Sequence, residues 1–175
     1  MLGYFLEPEL TAQAFTPDGW LHTGDKGALD VQGNLKLTGR VKDLFKTSKG
    51  KYVAPAAIEA LLSLIPGVEA CCVVGANLPQ PLAILALTPD LIKKTLEPQQ
   101  RQQLQAALEN ELVTINQQID PHERLSCLVV DQIPWTVESG LITPTLKAKR
   151  NQIEEVYGPS FESWCEQKEG VIWVS

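Results

Sequence analysis

Three short stretches of the chain hold residue types that could do chemistry. Thr23-Gly24-Asp25 places a carboxylate directly after a glycine in a tight turn, so two acceptor oxygens sit where backbone can approach closely. That suits the clamping of a vicinal diol such as a ribose, and it is also the form of a plain turn aspartate. The segment GRVKDLFKTSKG, from Gly39 to Gly50, sets bases at short intervals on extended backbone and ends in a glycine turn. Such a pattern could surround phosphate oxygens, or form a solvated basic hairpin. TPTLKAKR, from Thr143 to Arg150, is a hydroxyl-rich loop that delivers Lys147. Lys147, Lys149 and Arg150 lead into a helix, where the macrodipole would favour acids instead.

Charge supports the second stretch. The chain of 175 residues carries a net charge of −6, which disfavours nonspecific nucleic-acid binding. Yet Lys36, Arg40, Lys42, Lys46, Lys49 and Lys51 face a single acid, Asp43, within one short window. A basic island on an acidic body points to a focused anion site. Other polar residues read as structural. His22 sets the turn before Asp25, His122-Glu123 lies in a loop ahead of a strand, and Glu59 makes a local ion pair on its helix. Cys71, Cys72, Cys127 and Cys165 have neither disulfide-framework nor metal-knuckle spacing. They read as reduced thiols used as small hydrophobes, in keeping with a reducing cytoplasm.

Particular elements must hold these stretches in place. The first forty residues are punctuated by PDG, QGN and single glycines, which predicts β-hairpins with little helix. ALDV-QGN-LKLTG is one hairpin with its turn at Gly33 and Asn34. Ser48-Lys49-Gly50 turns between two short strands. Pro55 then opens a helix with Ile58, Leu61, Leu62 and Ile65 on one face, stopped by Pro66-Gly67. VEACCVVGA and PLAILALTP predict two buried antiparallel strands, with Cys71 and Cys72 facing opposite sides. Residues 98–119 form the clearest helix, with a core stripe at Leu104, Leu108, Leu112, Ile115 and Ile119. LSCLVVD is a core strand, 132–148 a loop, and 149–157 a short helix before a tail containing Trp164 and Trp173. The class is α+β: a small mixed α/β domain behind a β-hairpin remnant. The composition shifts near residues 40–43. No apolar run reaches the roughly 20 residues of a bilayer span, and the N-terminus has no basic leader or cleavage pattern.

Together the motifs are far more specific than they are singly. HTGD (22–25), GRVKDLFKTSKGKYVAP (39–55) and TPTLKAKR (143–150), in this order and spacing, resemble the carboxy-terminal part of the adenylate-forming (AMP-binding) enzymes. GYFLEPELTAQAFTPDGWLHTGD is similar to that family's approach to its ribose-binding aspartate. KTSKGKYVAP, NLPQPLAILALT and TPTLKAKR are most similar to the long- or medium-chain fatty acyl-CoA synthetase branch, and the resemblance covers essentially the whole chain.

The resemblance implies roles residue by residue. Asp25 holds the ATP ribose hydroxyls and Arg40 also contacts the nucleotide. Lys42 is the hinge, at a place where many relatives have aspartate. Lys46 belongs to the thioester-forming conformation, and Gly50 lets the pantetheine arm of CoA pass; one residue is extra between Phe45 and Gly50 relative to luciferase-like sequences. Lys147 is the catalytic lysine of adenylation. Residues 1–41 are then the end of a large domain and 42–175 the small lid domain. The implied substrates and cofactors are ATP with Mg2+, CoA and a fatty acid, none held firmly by this chain. The implied partner is an N-terminal domain with a phosphate loop, since no stretch here resembles that loop. No nucleic acid and no transmembrane segment are expected, and the expected location is the cytoplasm, free or peripheral to a membrane. Two other readings stay open: a noncatalytic binding or regulatory module, and an adenylating enzyme that passes its acyl group to acyl carrier protein.

Overall fold

Asp30 organises the hairpin of the first unit, Met1–Asp43, in the computed structural model, which describes residues 1–174. Its carboxylate accepts from the backbone N–H of Gln32 at 2.9 Å and of Asn34 at 2.8 Å, and from Asn34 Nδ2 at 2.8 Å. The Asn34 amide and backbone bonds hold the Asp30 carboxyl below the usual carboxylate range. Gly33 takes the left-handed conformation (φ 84°) that closes the turn. The turn therefore lies where Gly33 and Asn34 predicted it, with Asp30 as the residue that locks it. Strands β1 (Asp25–Leu29) and β2 (Leu35–Arg40) pair antiparallel on either side. The expectation of little helix needs one amendment. Pro8–Ala14 forms helix α1, with Pro8 in the first turn, where its missing N–H breaks no bond.

The second unit begins at Leu44. Its entry is a two-strand ribbon, β3 (Phe45–Lys46) and β4 (Tyr52–Val53). Helix α2 (Pro55–Leu62) follows, ending one turn short of Ile65 because Leu64 and Ile65 bond back only three residues, to Leu61 and Leu62. A single sheet then forms in the order β5 (Val68–Val74), β6 (Leu82–Leu87), β7 (Leu128–Asp131) and β8 (Val171–Val174). β5 and β6 are antiparallel, as predicted, while β6–β7 and β7–β8 are parallel. Parallel pairing needs long crossovers. One is supplied by α3 (Pro89–Lys94) and α4 (Pro98–Gln118), the other by α5 (Arg150–Tyr157) and α6 (Phe161–Gln167). What reads in sequence as a tail is thus a helix and an edge strand. Trp164 is buried on α6, and Trp173 is half-buried on β8.

Every residue of β6 is buried, because the sheet is covered on both faces. Val73, Ala83, Leu85, Leu87, Leu128 and Val130 pack with Ile58 and Leu62 of α2 and Leu108, Leu112 and Ile115 of α4. The alternate residues Cys72, Val74, Leu82, Ile84, Ala86 and Val129 pack instead with Trp135, Ile153, Phe161 and Trp164. The period of two along each strand divides the core into these layers. Each fully buried leucine or isoleucine contributes roughly 1.5–3 kcal/mol.

Cys71 and Cys72 fall on opposite layers, as a strand requires, and all four cysteines are free thiols. Burial is the main cause that pushes Cys71 and Cys72 up to about 12 and Cys127 up to about 11. A folded-state pKa raised above the unfolded value contributes stability that is complete below the unfolded value and is lost as pH rises through the folded one. Burial and its bond to Asp131 also raise Tyr157. The domain should therefore hold its urea midpoint between pH 6 and about 8.5 and lose it progressively from about pH 9 to 12. A midpoint unchanged at pH 10.5 would contradict the assignment of these thiols to a desolvated core.

Candidate functional site

In the first unit, strand register brings Asp25 and Arg40 together as cross-strand partners. Arg40 Nε lies 3.5 Å from Asp25 Oδ1, with the two side chains 71% and 33% exposed. An exposed pair this long adds little stability, so both groups are free to turn to a ligand. The local turn is well specified. Asp25 N–H donates to Thr23 Oγ1 at 3.1 Å, Val41 N–H to Gly24 O at 2.9 Å, and Gly24 adopts φ 76°. His22 contributes a backbone bond, donating its N–H to Ala14 O at 2.8 Å. Lys42 is exposed in the 3-10 turn Val41–Asp43, the last residues of this unit.

Lys46 and Gly50 share the turn between β3 and β4. Buried Thr47 closes it: Thr47 N–H donates to Lys51 O and Gly50 N–H to Thr47 O, both at 2.9 Å. Gly50 has φ 76°, which favours glycine. A side chain there would meet only Lys46 Cε, at 3.7 Å, so the backbone conformation and not crowding within the unit asks for glycine. Lys46 Nζ lies 5.7 Å from the Tyr52 ring centroid. The connector NLPQ does more than link strands. Asn77 N–H donates to Lys46 O and Leu78 O accepts from Ser48 N–H, both at 2.9 Å, so this loop braces the lysine turn from the side. The positive φ of Asn77 (65°) is the one local signal of it.

Lys147 stands exposed on a loop of its own. Buried Leu141 and Ile142 root the loop in the core, and Ile142 pairs with Ala148 across its neck. Thr143 closes the tip. Its N–H donates to Lys147 O at 2.8 Å, its carbonyl accepts from Leu146 N–H at 2.8 Å, and its Oγ1 accepts from Lys147 N–H at 3.1 Å. Thr145 Oγ1 lies 3.0 Å from the same hydroxyl. Leu146, exposed and immediately before the lysine, holds φ 59°. A leucine rarely adopts that conformation, and such outliers cluster at functional sites.

Two side-chain groups that the sequence does not announce flank this loop. At its C-terminal end Arg150, the first residue of α5, pairs with Glu59 of α2: Nη2 to Oε1 is 2.7 Å, with side chains 19% and 23% exposed. This corrects the expectation of a local ion pair for Glu59, whose partner is 91 residues away. It also explains a cation at a helix N-terminus, since the carboxylate compensates the unfavourable dipole. At the other end lies Asp131, the last residue of β7 and 1% exposed. It accepts from Ile133 N–H at 2.9 Å, from Trp135 Nε1 at 2.8 Å and from the Tyr157 hydroxyl. Burial, then this bond to a carboxylate, raises the Tyr157 pKa. His122 lies in the loop before β7; Glu123 Oε1 accepts from Ala54 N–H, at 3.3 Å, where α2 begins.

Among the described residues no group of three or more His, Cys, Asp or Glu side chains could hold a metal ion. No helix among the described residues is long and apolar enough to cross a membrane.

The family model of the AMP-binding enzyme C-terminal domain matches residues 42–168. Long-chain-fatty-acid–CoA ligase 5 of Mus musculus is 32% identical over 180 residues, covering 95% of this chain and 26% of that protein. Long chain acyl-CoA synthetase 6, peroxisomal, of Arabidopsis thaliana is 30% identical over 169 residues, covering 89% of this chain and 24% of that protein. Among solved structures, the adenylation domain of a carboxylate reductase from Mycobacterium chelonae superposes with a TM-score of 0.77 at 30% identity, covering 93% of this chain and 25% of that one. The A-PCP didomain of a carboxylic acid reductase from Segniliparus rugosus, in complex with AMP, also gives 0.77, at 27% identity, covering 94% and 23%. The chain spans about a quarter of the length of these relatives.

Proposed function

We propose that this chain, which belongs to the family of AMP-binding enzyme C-terminal domains, is the C-terminal part of an ATP-dependent fatty acid–CoA ligase. In this reading residues 1–41 complete a large nucleotide-binding domain, and 42–175 are a small domain that turns about Lys42. The observation that carries it is the exposed Lys147 on a loop whose backbone is pinned by its own threonine. An adenylating enzyme must bring a carboxylate oxygen to the α-phosphorus of ATP while pyrophosphate leaves. Two anions meet, and charge builds on the phosphoryl oxygens. An ammonium held between them lowers that repulsion most in the transition state. Asp25 takes the ribose hydroxyls, with Arg40 beside it on the nucleotide. The small domain then withdraws Lys147 and presents the turn of Lys46 and Gly50. The CoA thiolate attacks the acyl carbonyl, the acyl–phosphate bond breaks, and AMP leaves. Magnesium bound with the ATP would neutralise charge on its phosphates. Free thiols, of which Cys72 and Cys127 are buried, agree with a reducing, cytoplasmic setting.

The fatty-acid branch rests on relatives at 30–32% identity that are long-chain ligases. A second reading has a specific observation in its favour: the similarity to an adenylation domain joined to a carrier protein domain. In that reading the acyl group would pass to a carrier-protein thiol instead of CoA. Fatty-acid-dependent ATP–pyrophosphate exchange by the full-length enzyme, followed by addition of CoA, separates the two. Exchange with acyl-CoA release supports the ligase. Exchange with acylation of a carrier protein alone supports the second reading. The 175-residue chain by itself should show no exchange, and exchange by it would overturn the assignment of adenylation to a two-domain enzyme.

A further inference from the structure

The loop that carries Lys147 lies between two side-chain nodes, and both converge on helix α5. Arg150 opens that helix and Tyr157 ends it. The first node is a clasp on the free edge of the sheet. β5 is an edge strand, so Val73 has a backbone N–H and a carbonyl pointing away from β6. Glu59 Oε1 accepts from Val73 N–H at 2.9 Å, and Arg150 Nη1 donates to Val73 O. The ion pair therefore occupies the place of a missing neighbouring strand, satisfying both groups at once. It ties α5 to the strand edge and to α2. Arg150 is three residues from Lys147, and Lys149 N–H is already bonded to Leu141 O at 2.8 Å, so little slack separates the clasp from the lysine. The second node, Asp131, binds the segment leading toward the loop, at Ile133 and Trp135, and the end of α5 through Tyr157.

We propose that Glu59–Arg150 and Asp131–Tyr157 are positioning pairs that fix the aim of Lys147 by holding α5 at both ends. This rests on the adenylating role of Lys147. Neither pair lies at the loop tip itself; among the described residues Thr143 and the Ile142–Ala148 bridge close the loop, and buried Leu141 and Ile142 root it. A small tilt of α5 would therefore displace the ammonium, and misplacement on the order of an ångström is enough to cost a large factor in rate. The Lys46–Gly50 turn is braced at Asn77 and Leu78 and not by α5, so the thioester half-reaction should feel a tilt of that helix far less than adenylation does.

The test uses two mild variants in the full-length enzyme. Glu59→Gln keeps an acceptor for Val73 N–H but removes the charge, and Tyr157→Phe removes only the hydroxyl. Each should lower kcat for acyl-adenylate formation roughly tenfold with KM for ATP little changed, and leave acyl transfer from supplied acyl-adenylate within about twofold. In the full-length enzyme, hydrogen exchange at the Leu146 and Lys147 amides should quicken while β6 amides keep their protection. Arg150→Lys, which retains charge without the fork, should fall between wild type and Arg150→Met. Equal loss of both half-reactions, or no loss in either, would overturn the proposal while Lys147→Ala remained selective. If Lys147→Ala itself lost both half-reactions alike, the adenylating role would fail and the positioning pairs with it.

Discussion

Replacing Lys147 with alanine in the full-length enzyme is expected to slow acyl-adenylate formation by about 10²–10³-fold, the usual consequence of removing one preorganised charge from a transition state. Acyl transfer to CoA from supplied acyl-adenylate should stay within about twofold of wild type. The asymmetry follows from placement. Lys147 is exposed at the tip of a loop whose bonds are made by backbone and by Thr143, so its side chain is not needed to hold the loop together. Loss of the ammonium should leave the fold intact, and thermal unfolding of the variant should match the parent. Single-turnover kinetics of each half-reaction provides the check. A comparable loss in both would remove Lys147 from the adenylation step, and Lys147→Arg tells charge from geometry, since a planar guanidinium does not reproduce an ammonium's point charge.

The mirror-image result is expected at Gly50. Gly50→Leu should reduce acyl transfer to CoA by roughly 10²-fold while adenylation is nearly untouched, because in the proposed role a side chain there would obstruct the passage of a narrow thiol-bearing arm. Part of any effect could come from the backbone, since φ 76° disfavours every L side chain by about 1 kcal/mol or more. Gly50→Ala separates the contributions. It carries the same conformational cost with little bulk, and within the unit its Cβ would meet only Lys46 Cε at 3.7 Å. An alanine variant close to wild type and a blocked leucine variant support passage. Alanine as damaging as leucine would mean that turn geometry, and not room for CoA, is what the glycine supplies.

These two variants attack opposite half-reactions from two loops with separate supports. The lysine turn leans on Asn77 and Leu78, and the Lys147 loop lies between Asp131 and Arg150. In the proposed reading, where the domain presents first one loop and then the other, such separation would let each loop keep its shape.

Much of this was legible without coordinates wherever the signal is local. Gly33 and Asn34 mark a hairpin turn, Pro55 and Pro98 mark helix starts, and the alternation through VEACCVV sends Cys71 and Cys72 to opposite layers. The candidate positions Asp25, Arg40, Lys46, Gly50 and Lys147 came from motifs, which are local in the sequence. The tail and the ion pair were not legible. β8 has only four residues, and its strand character comes from parallel pairing with β7, a partner some forty residues earlier. Glu59 and Arg150 carry no spacing that links them, because their contact exists only once α2, β5 and α5 have packed around one sheet. Asp131 looks like a strand-ending acid until Trp135 and Tyr157 close over it. Sequence alone thus determines which groups can do chemistry and which segments are helix, strand or turn, since these depend on neighbours along the chain. Tertiary structure alone decides what holds the chemical groups still, since a buried carboxylate or an edge-strand carbonyl takes its partner from wherever packing brings one.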